Sequence, residues 1–231
     1  MIIKNAKDIK KQRGMLMLYS KPGIGKTSTV RFLKGKTLVL DIDRTSRVLK
    51  GCENIDIMEI DNVNTWETWE NTIIEISKAY AKGYDNIVID NISELERCML
   101  SHLGRIGKNS RVPSMANYQQ VQFLLVDSIR FLKNLPCNII LTAWEETTPF
   151  NDENGQIISV VYPKIMTKIR DNIMGLCDVV ARLSIKETDT GEKRRWFRLS
   201  PTNFIYAKNQ MDTREWCYQE DILGGEGTVE K

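Results

Sequence analysis

Long apolar runs are missing from this chain. Nowhere do eighteen apolar residues follow one another, and the start Met1-Ile2-Ile3-Lys4-Asn5 lacks the core of a signal peptide, so the expectation is a soluble, cytoplasmic protein with no membrane partner. Cysteine is sparse and odd in number. Cys52, Cys98, Cys137, Cys177 and Cys217 form no C-x-x-C pair, which argues against a zinc site or a disulfide framework and reads as buried thiols in a reducing compartment. The lone histidine, His102, has no metal-ligand company and is expected to pack or hydrogen-bond locally. Neither sign of charge dominates: 33 basic residues stand against 30 acidic ones, a net +3. No global basic field announces nucleic-acid binding, and any such contact has to come from a local patch. No internal repeat is found, and 231 residues suit one α/β domain, with room for an inserted hairpin.

What the chain does have is Ser20-Lys21-Pro22-Gly23-Ile24-Gly25-Lys26-Thr27-Ser28, set between the apolar run Met15-Leu16-Met17-Leu18-Tyr19 and a stretch with helical character. That is a phosphate-binding loop in its proper setting. Small residues let backbone N–H groups curl around phosphate oxygens, Lys26 can reach the β- and γ-phosphates, and the Thr27 hydroxyl can hold Mg²⁺. One position departs from the motif: its first glycine is Ser20, which cannot take positive φ as freely.

Downstream, apolar runs alternate with amphipathic ones. Ser28 to Lys34 reads as a helix closed by Gly35, Thr37 to Asp43 as a buried strand ending in acids, and Ile55 to Ile60 as a shorter strand. Trp66, Trp69, Ile73, Ile76 and Tyr80 recur at helical steps between Thr65 and Lys82, with both tryptophans expected in the core. Asn86 to Asn91 is a further strand, and helices are expected over 92–103 and 118–135. Asn138 to Ala143 is another parallel-type strand, and 145–162 reads as an inserted β-hairpin turning at Asn151-Asp152-Glu153-Asn154-Gly155. A helix over 164–176 precedes strands over 179–186, 195–200 and 204–208, the first two joined by the turn Thr188 to Glu192. The expected organisation is an N-terminal segment 1–13, a core 14–210 and a C-terminal tail 211–231, with a flexible stretch from Gly224 to Thr228.

Such an order predicts a mostly parallel central sheet flanked by helices, which binds ligands at the carboxyl ends of its strands. Asp90 ends a strand there and is the candidate second Mg²⁺ ligand with Thr27; the alternative is a cap for the following helix. Asp43 is the candidate base for an attacking water, or else one acid of a surface ion-pair cluster with Asp41, Arg44 and Arg47.

The segments Tyr-Ser-Lys-Pro-Gly-Ile-Gly-Lys-Thr-Ser, Leu-Val-Leu-Asp-Ile-Asp, Ile-Val-Ile-Asp-Asn-Ile, Ile-Ile-Leu-Thr-Ala-Trp and Tyr-Ala-Lys-Asn-Gln together resemble the phage-encoded, RecA-like ATPases that comprise only the ATPase core, AAA-type nucleotide-binding proteins. Some of these are single-strand annealing recombinases of the Sak group. The resemblance implies a RecA-like P-loop fold, ATP with Mg²⁺ as ligands, and a homo-oligomer. It also implies that Asp43 stands for a catalytic glutamate and that Lys208, followed by Asn209, reaches the nucleotide of an adjacent subunit. Trp144 then occupies the place of a polar γ-phosphate sensor, and Gln210 that of a second basic residue.

The stretch Gly104 to Arg111 carries Arg105, Lys108 and Arg111 with two glycines and no acid, suited to tracking the backbone of single-stranded DNA; an ordinary solvated loop is the alternative. Lys193-Arg194-Arg195-Trp196 pairs charge with a ring that either stacks on a base or anchors a strand. Two functional classes follow. One is an ATPase acting on single-stranded DNA in phage recombination or replication, with a single-strand DNA-binding protein as a possible partner. The other is a nucleotide-dependent switch or scaffold with weak or no hydrolysis. A small-molecule kinase ranks last, since no basic lid is visible.

Overall fold

Six apolar segments lie side by side as parallel strands: β1 (Met15–Ser20), β2 (Thr37–Asp41), β3 (Ile55–Glu59), β4 (Asn86–Asp90), the first half of β5 (Asn138–Asn151) and, past the hairpin strand β6 (Ile157–Pro163), β7 (Val179–Glu187). The fold comes from a computed structural model, which describes residues 5, 13–151, 155–188 and 190–224. Strands β8 (Lys193–Arg198), β9 (Lys208–Asn209) and β10 (Trp216–Tyr218) complete a sheet of order β10-β8-β7-β1-β5-β4-β2-β3, in which β8, β9 and β10 run antiparallel to their neighbours. The second half of β5 leaves the sheet and pairs with β6 as the expected hairpin.

The central parallel strands β1, β2, β4 and residues 139–143 of β5 are buried along their length because both faces are covered, whereas the edge strand β3 leaves Ile57 and Glu59 exposed. Met15, Met17, Tyr19, Ile87, Ile89, Ile139 and Leu141 point into one core, under the helices α1 (Thr65–Glu75), α2 (Ile92–Ile106), α3 (Met115–Leu132) and α4 (Thr167–Leu176). The alternate residues Leu16, Leu18, Val39, Val88 and Ile140 point into a second core, with Val30, Leu33, Phe197 and Cys217. Trp69 is buried and donates its indole N–H to Ser128 Oγ at 3.0 Å, whereas Trp66 is only half-buried. His102 accepts from the Trp66 backbone N–H at 3.3 Å, the local role expected of it. Four of the cysteines are buried and free, and Cys52 is half-buried.

Several boundaries differ from the sequence expectations. The segment after the loop is a short 3-10 helix, Thr27–Phe32, rather than an α-helix over 28–34: β-branched Thr27, Thr29 and Val30 disfavour the α form, and Thr29 Oγ1 itself takes the Gly25 carbonyl at 3.2 Å. Strand β2 stops at Asp41, not Asp43, because the Asp41 carboxylate accepts from Thr45 N and Ser46 N and Arg44 adopts φ 59°, turning the chain. Residues 204–207 are not a strand; Phe204 and Tyr206 bond instead to Val161 across the hairpin. Gly104 and Arg105 belong to α2, so the basic loop is shorter than expected. A tail beginning at 211 does not describe the fold either. Trp216–Tyr218 forms β10, and Cys217 and Ile222 fill the second core. Most of the 1–13 segment, the hairpin tip at 152–154, Asp189 and residues 225–231 lie outside the described residues. Among the described residues no helix is long and apolar enough to cross a membrane.

Candidate nucleotide site

The loop after β1 is shaped by two glycines. Gly23 has φ 80° and Gly25 φ 113°, conformations that L side chains rarely adopt. Ser20 needs no such freedom: it closes β1 in register with Trp144, and among the described residues only Arg44, Ser110 and Arg111 are non-glycines with positive φ. Its departure from the motif therefore costs no backbone strain. The buried Lys26 ammonium donates to Ser20 O at 3.2 Å, Ser20 Oγ at 3.3 Å and Lys21 O at 3.3 Å. Burial pulls its pKa below the usual lysine range, while Asp90, Asp43 and Glu145 pull the other way.

A polar cluster faces that lysine. Thr27 Oγ1 donates to Asp90 Oδ2 at 2.6 Å, and Thr142 Oγ1 donates to Asp90 Oδ1. Thr45 Oγ1 lies 3.2 Å from Thr27 Oγ1 and donates to Asp43 Oδ1 at 2.8 Å, while Asn91 Nδ2 donates to Asp43 Oδ2 at 2.5 Å. Asp90 is buried, and burial pushes its carboxyl above the ordinary carboxylate range against the pull of its hydrogen bonds. Asp43 rises to about 6, first through burial and then through the charge of Asp90. The cap of α2 is Asn91, whose side chain accepts from Glu94 N at 2.8 Å, so Asp90 is free of that duty.

Two carboxyls raised by burial, Asp43 also by the charge of Asp90, next to a hydroxyl, fit a hard divalent cation. Among the described residues no group of three or more His, Cys, Asp or Glu makes a metal site by itself, so a Mg²⁺ on Thr27 and Asp90 would draw its other ligands from phosphate and water. The donor set fits that arrangement.

Three parts of the site were not anticipated. Thr142, on β5 between β1 and β4, bonds Asp90, whereas Trp144 lies outside the cluster with its N–H on Ser93 Oγ at 3.0 Å. Glu145 makes a two-pronged ion pair with Arg182, at 2.9 and 3.2 Å. The third is a clamp on the back of the loop. Arg195 Nε of β8 donates to Ile24 O at 2.7 Å, and Gln219 Nε2 donates to Gly25 O and to Thr29 Oγ1, both at 2.8 Å. A Cβ on Gly25 would lie 2.8 Å from Arg195 Nε, so the close approach also requires glycine. Adjacent basic letters in 193–195 hinted at Arg195; nothing local marks Gln219.

Two sets of expected residues lie elsewhere. Lys208 pairs with Val180, level with Met17 of β1 and so ~10 Å short of the loop, and its ammonium donates to Met174 O, Gly175 O and Cys177 O at 3.4, 3.1 and 2.6 Å. Within one chain it holds the end of α4. Arg105 donates to Val63 O and to Ser101 Oγ, which occupies its guanidinium, while Lys108 and Arg111 are exposed just beyond α2.

A comparison with curated protein sequences gives no match. Among solved structures, the KaiC-like protein PH0186 from the hyperthermophilic archaeon Pyrococcus horikoshii OT3 is similar at 13% identity and a TM-score of 0.43, over 80% of this chain and 77% of that one. Residues 12–211 match the family described as AAA domain, and the chain belongs to that family.

Proposed function

We propose that the protein is a Mg²⁺-dependent ATPase that acts on single-stranded DNA in phage recombination or replication, through annealing or strand pairing, and works as a homo-oligomer. The observation that carries the ATPase reading is the Thr27–Asp90 hydrogen bond at 2.6 Å beside the buried Lys26, an arrangement suited to a nucleoside triphosphate with its cation. Mg²⁺ held by Thr27 and Asp90 would supply positive charge to the triphosphate. Lys26 would exchange its loop carbonyls for phosphate oxygens, and the loop N–H groups between Lys21 and Ser28 would line the phosphates. Asp43 would accept the proton of the attacking water, a role that its raised pKa suits near neutral pH. Lys208 from a neighbouring subunit would offset charge in the transition state only after leaving the α4 carbonyls.

One observation favours the slower alternative, a nucleotide-dependent switch that binds another replication protein. Both Asp43 oxygens already accept hydrogen bonds, from Thr45 and Asn91, which competes with a water. ATP hydrolysis by wild type, Lys26→Ala and Asp43→Asn, with and without single-stranded DNA, separates the readings. DNA-stimulated turnover that falls by about 10²-fold or more in both variants supports the ATPase. Tight ATP binding without turnover supports the switch.

A further inference from the structure

The strands that clamp the phosphate loop on one face carry a different chemistry on the other. Side chains alternate along a strand, so Arg195, Phe197 and Cys217 point toward the loop and second core, while Arg194, Trp196 and Arg198 of β8, Trp216 and Tyr218 of β10 and Lys186 of β7 share the opposite face. Registration pairs Trp196 with Tyr218, Arg198 with Trp216 and Arg194 with Lys186. The rings interlock edge to face, Trp196 with Trp216 at 6.3 Å and Trp216 with Tyr218 at 5.3 Å between centroids. Arg194 lies 3.6 Å from the Tyr218 ring centre and Arg198 5.2 Å from that of Trp196. Together they line a shallow depression of about 320 Å³.

This is not how a strand anchors itself to a core. Trp216 remains 41% exposed at the outer end of the sheet, and Arg198 Nε is buried without a hydrogen-bond partner. Along β8 this face reads Arg194, Trp196, Arg198 at steps of ~7 Å, so a ring separates two cations ~13 Å apart, with Lys186 level with Arg194 and Trp216 level with Arg198. Among the described residues the acids near the face include Glu187, at its rim, Glu220, paired with Arg194, and Glu192, whose charge also acts on Arg194. A partner that satisfies both features carries regular negative charge and free π-faces. Duplex nucleic acid hides its base faces inside the stack; a single strand does not.

We propose that this face of β7, β8 and β10 binds a single strand of nucleic acid, with bases on Trp216 and Trp196 and phosphates on Lys186 and Arg198. The proposal rests on the reading above that the protein acts on single-stranded DNA, and it places the strand here rather than on the Lys108–Arg111 loop. It also sets the strand directly behind Arg195 and Gln219, one residue step from the side chains that hold the phosphate loop.

The test is fluorescence anisotropy with a labelled thirty-nucleotide oligo(dT) at low salt with ATP and Mg²⁺, on wild type, Trp216→Ala, Trp216→Phe, Lys186→Ala/Arg198→Ala and Lys108→Ala/Arg111→Ala. Circular dichroism melting verifies that each variant folds. The expected result is binding by wild type, at least about 10-fold weaker binding by Trp216→Ala and by Lys186→Ala/Arg198→Ala, near-wild-type binding by Trp216→Phe, and little change in the loop variant. A matching duplex competes poorly, and oligo(U) of the same length tells whether the face separates DNA from RNA. Wild-type binding that the face variants leave intact, or that only the loop variant loses, overturns this proposal and leaves the broader reading standing. No binding by wild type overturns both. A change in sedimentation mass in Trp216→Ala at unchanged DNA affinity also overturns it, making the face a contact between copies of the chain.

Discussion

Gln219, just past β10, is one of two residues, with Arg195 of β8, through which the C-terminal part of the chain holds the phosphate loop, and replacing it measures how much of the nucleotide site depends on that grip. Its side chain is 4% exposed and donates at 2.8 Å both to Gly25 O and to Thr29 Oγ1. Gln219→Ala removes two neutral hydrogen bonds, about 2 kcal/mol together. Gly25 O keeps two other donors, Thr29 N at 3.2 Å and Thr29 Oγ1 at 3.2 Å, so no carbonyl is left bare and the fold survives. The loss falls on the alignment of a loop that already requires φ 113° at Gly25. If nucleotide has to restore that alignment, its dissociation constant rises by up to about 30-fold, since tenfold corresponds to about 1.4 kcal/mol. Gln219→Glu is worse, because it replaces the donor with a charge facing a carbonyl and the phosphates. Titration with a fluorescent ATP analogue in Mg²⁺, beside thermal melting of each variant, gives the answer. A lowered melting temperature with affinity within twofold of wild type refutes the reasoning and makes the clamp a stabiliser of β10 alone.

Two further outcomes test other parts of the fold. Glu96 is pushed up to about 7, chiefly by burial, against the hydrogen bond it accepts from Met166 N at 2.8 Å; the charge of Glu146 adds to the rise. Since the folded state holds this proton more tightly than the unfolded chain, its contribution is present below pH ~4.5 and lost as pH climbs through 7. Glu96→Gln is therefore expected to raise stability at pH 8 by on the order of 1–3 kcal/mol and to change it little at pH 4, as denaturant melts at the two values measure; equal effects at both contradict the assignment. Lys208→Met removes a cation from the carbonyls at the end of α4, and a loss of about 1–2 kcal/mol in denaturant melts of the nucleotide-free protein at low concentration is expected; no loss would mean that the ammonium does not hold α4.

The parts of this protein that were legible in its sequence are those whose placement is set by local residues. Lys26 and Thr27 sit in one nine-residue loop with its glycines, and a strand of uninterrupted apolar residues announced Asp90 without reference to anything distant. Asp43 was found by its place after such a run, although the strand ends two residues earlier, because the turn that presents it is made by Asp41 and Arg44 rather than by β-structure. Thr142 was hidden for a different reason: a threonine suits a strand by shape alone, so its hydroxyl reaching Asp90 on the next strand leaves no mark on the pattern.

The C-terminal strands were the least legible, and the physical reason is their size. Three residues, Trp216–Tyr218, are too few for period-2 alternation to show, and they are held by pairing with β8 rather than by their own propensity. Gln219 spans 194 positions to reach Gly25. A contact of that separation is selected by the assembled sheet, not by neighbouring residues, which is why a stretch that read as a tail turns out to grip the phosphate loop. The same assembly explains Arg195 and Trp196. As adjacent letters they form one basic, aromatic cluster, yet the pleat sends Arg195 to the nucleotide loop and Trp196 to the opposite face, so that one short ribbon touches two surfaces that sequence proximity alone would have merged.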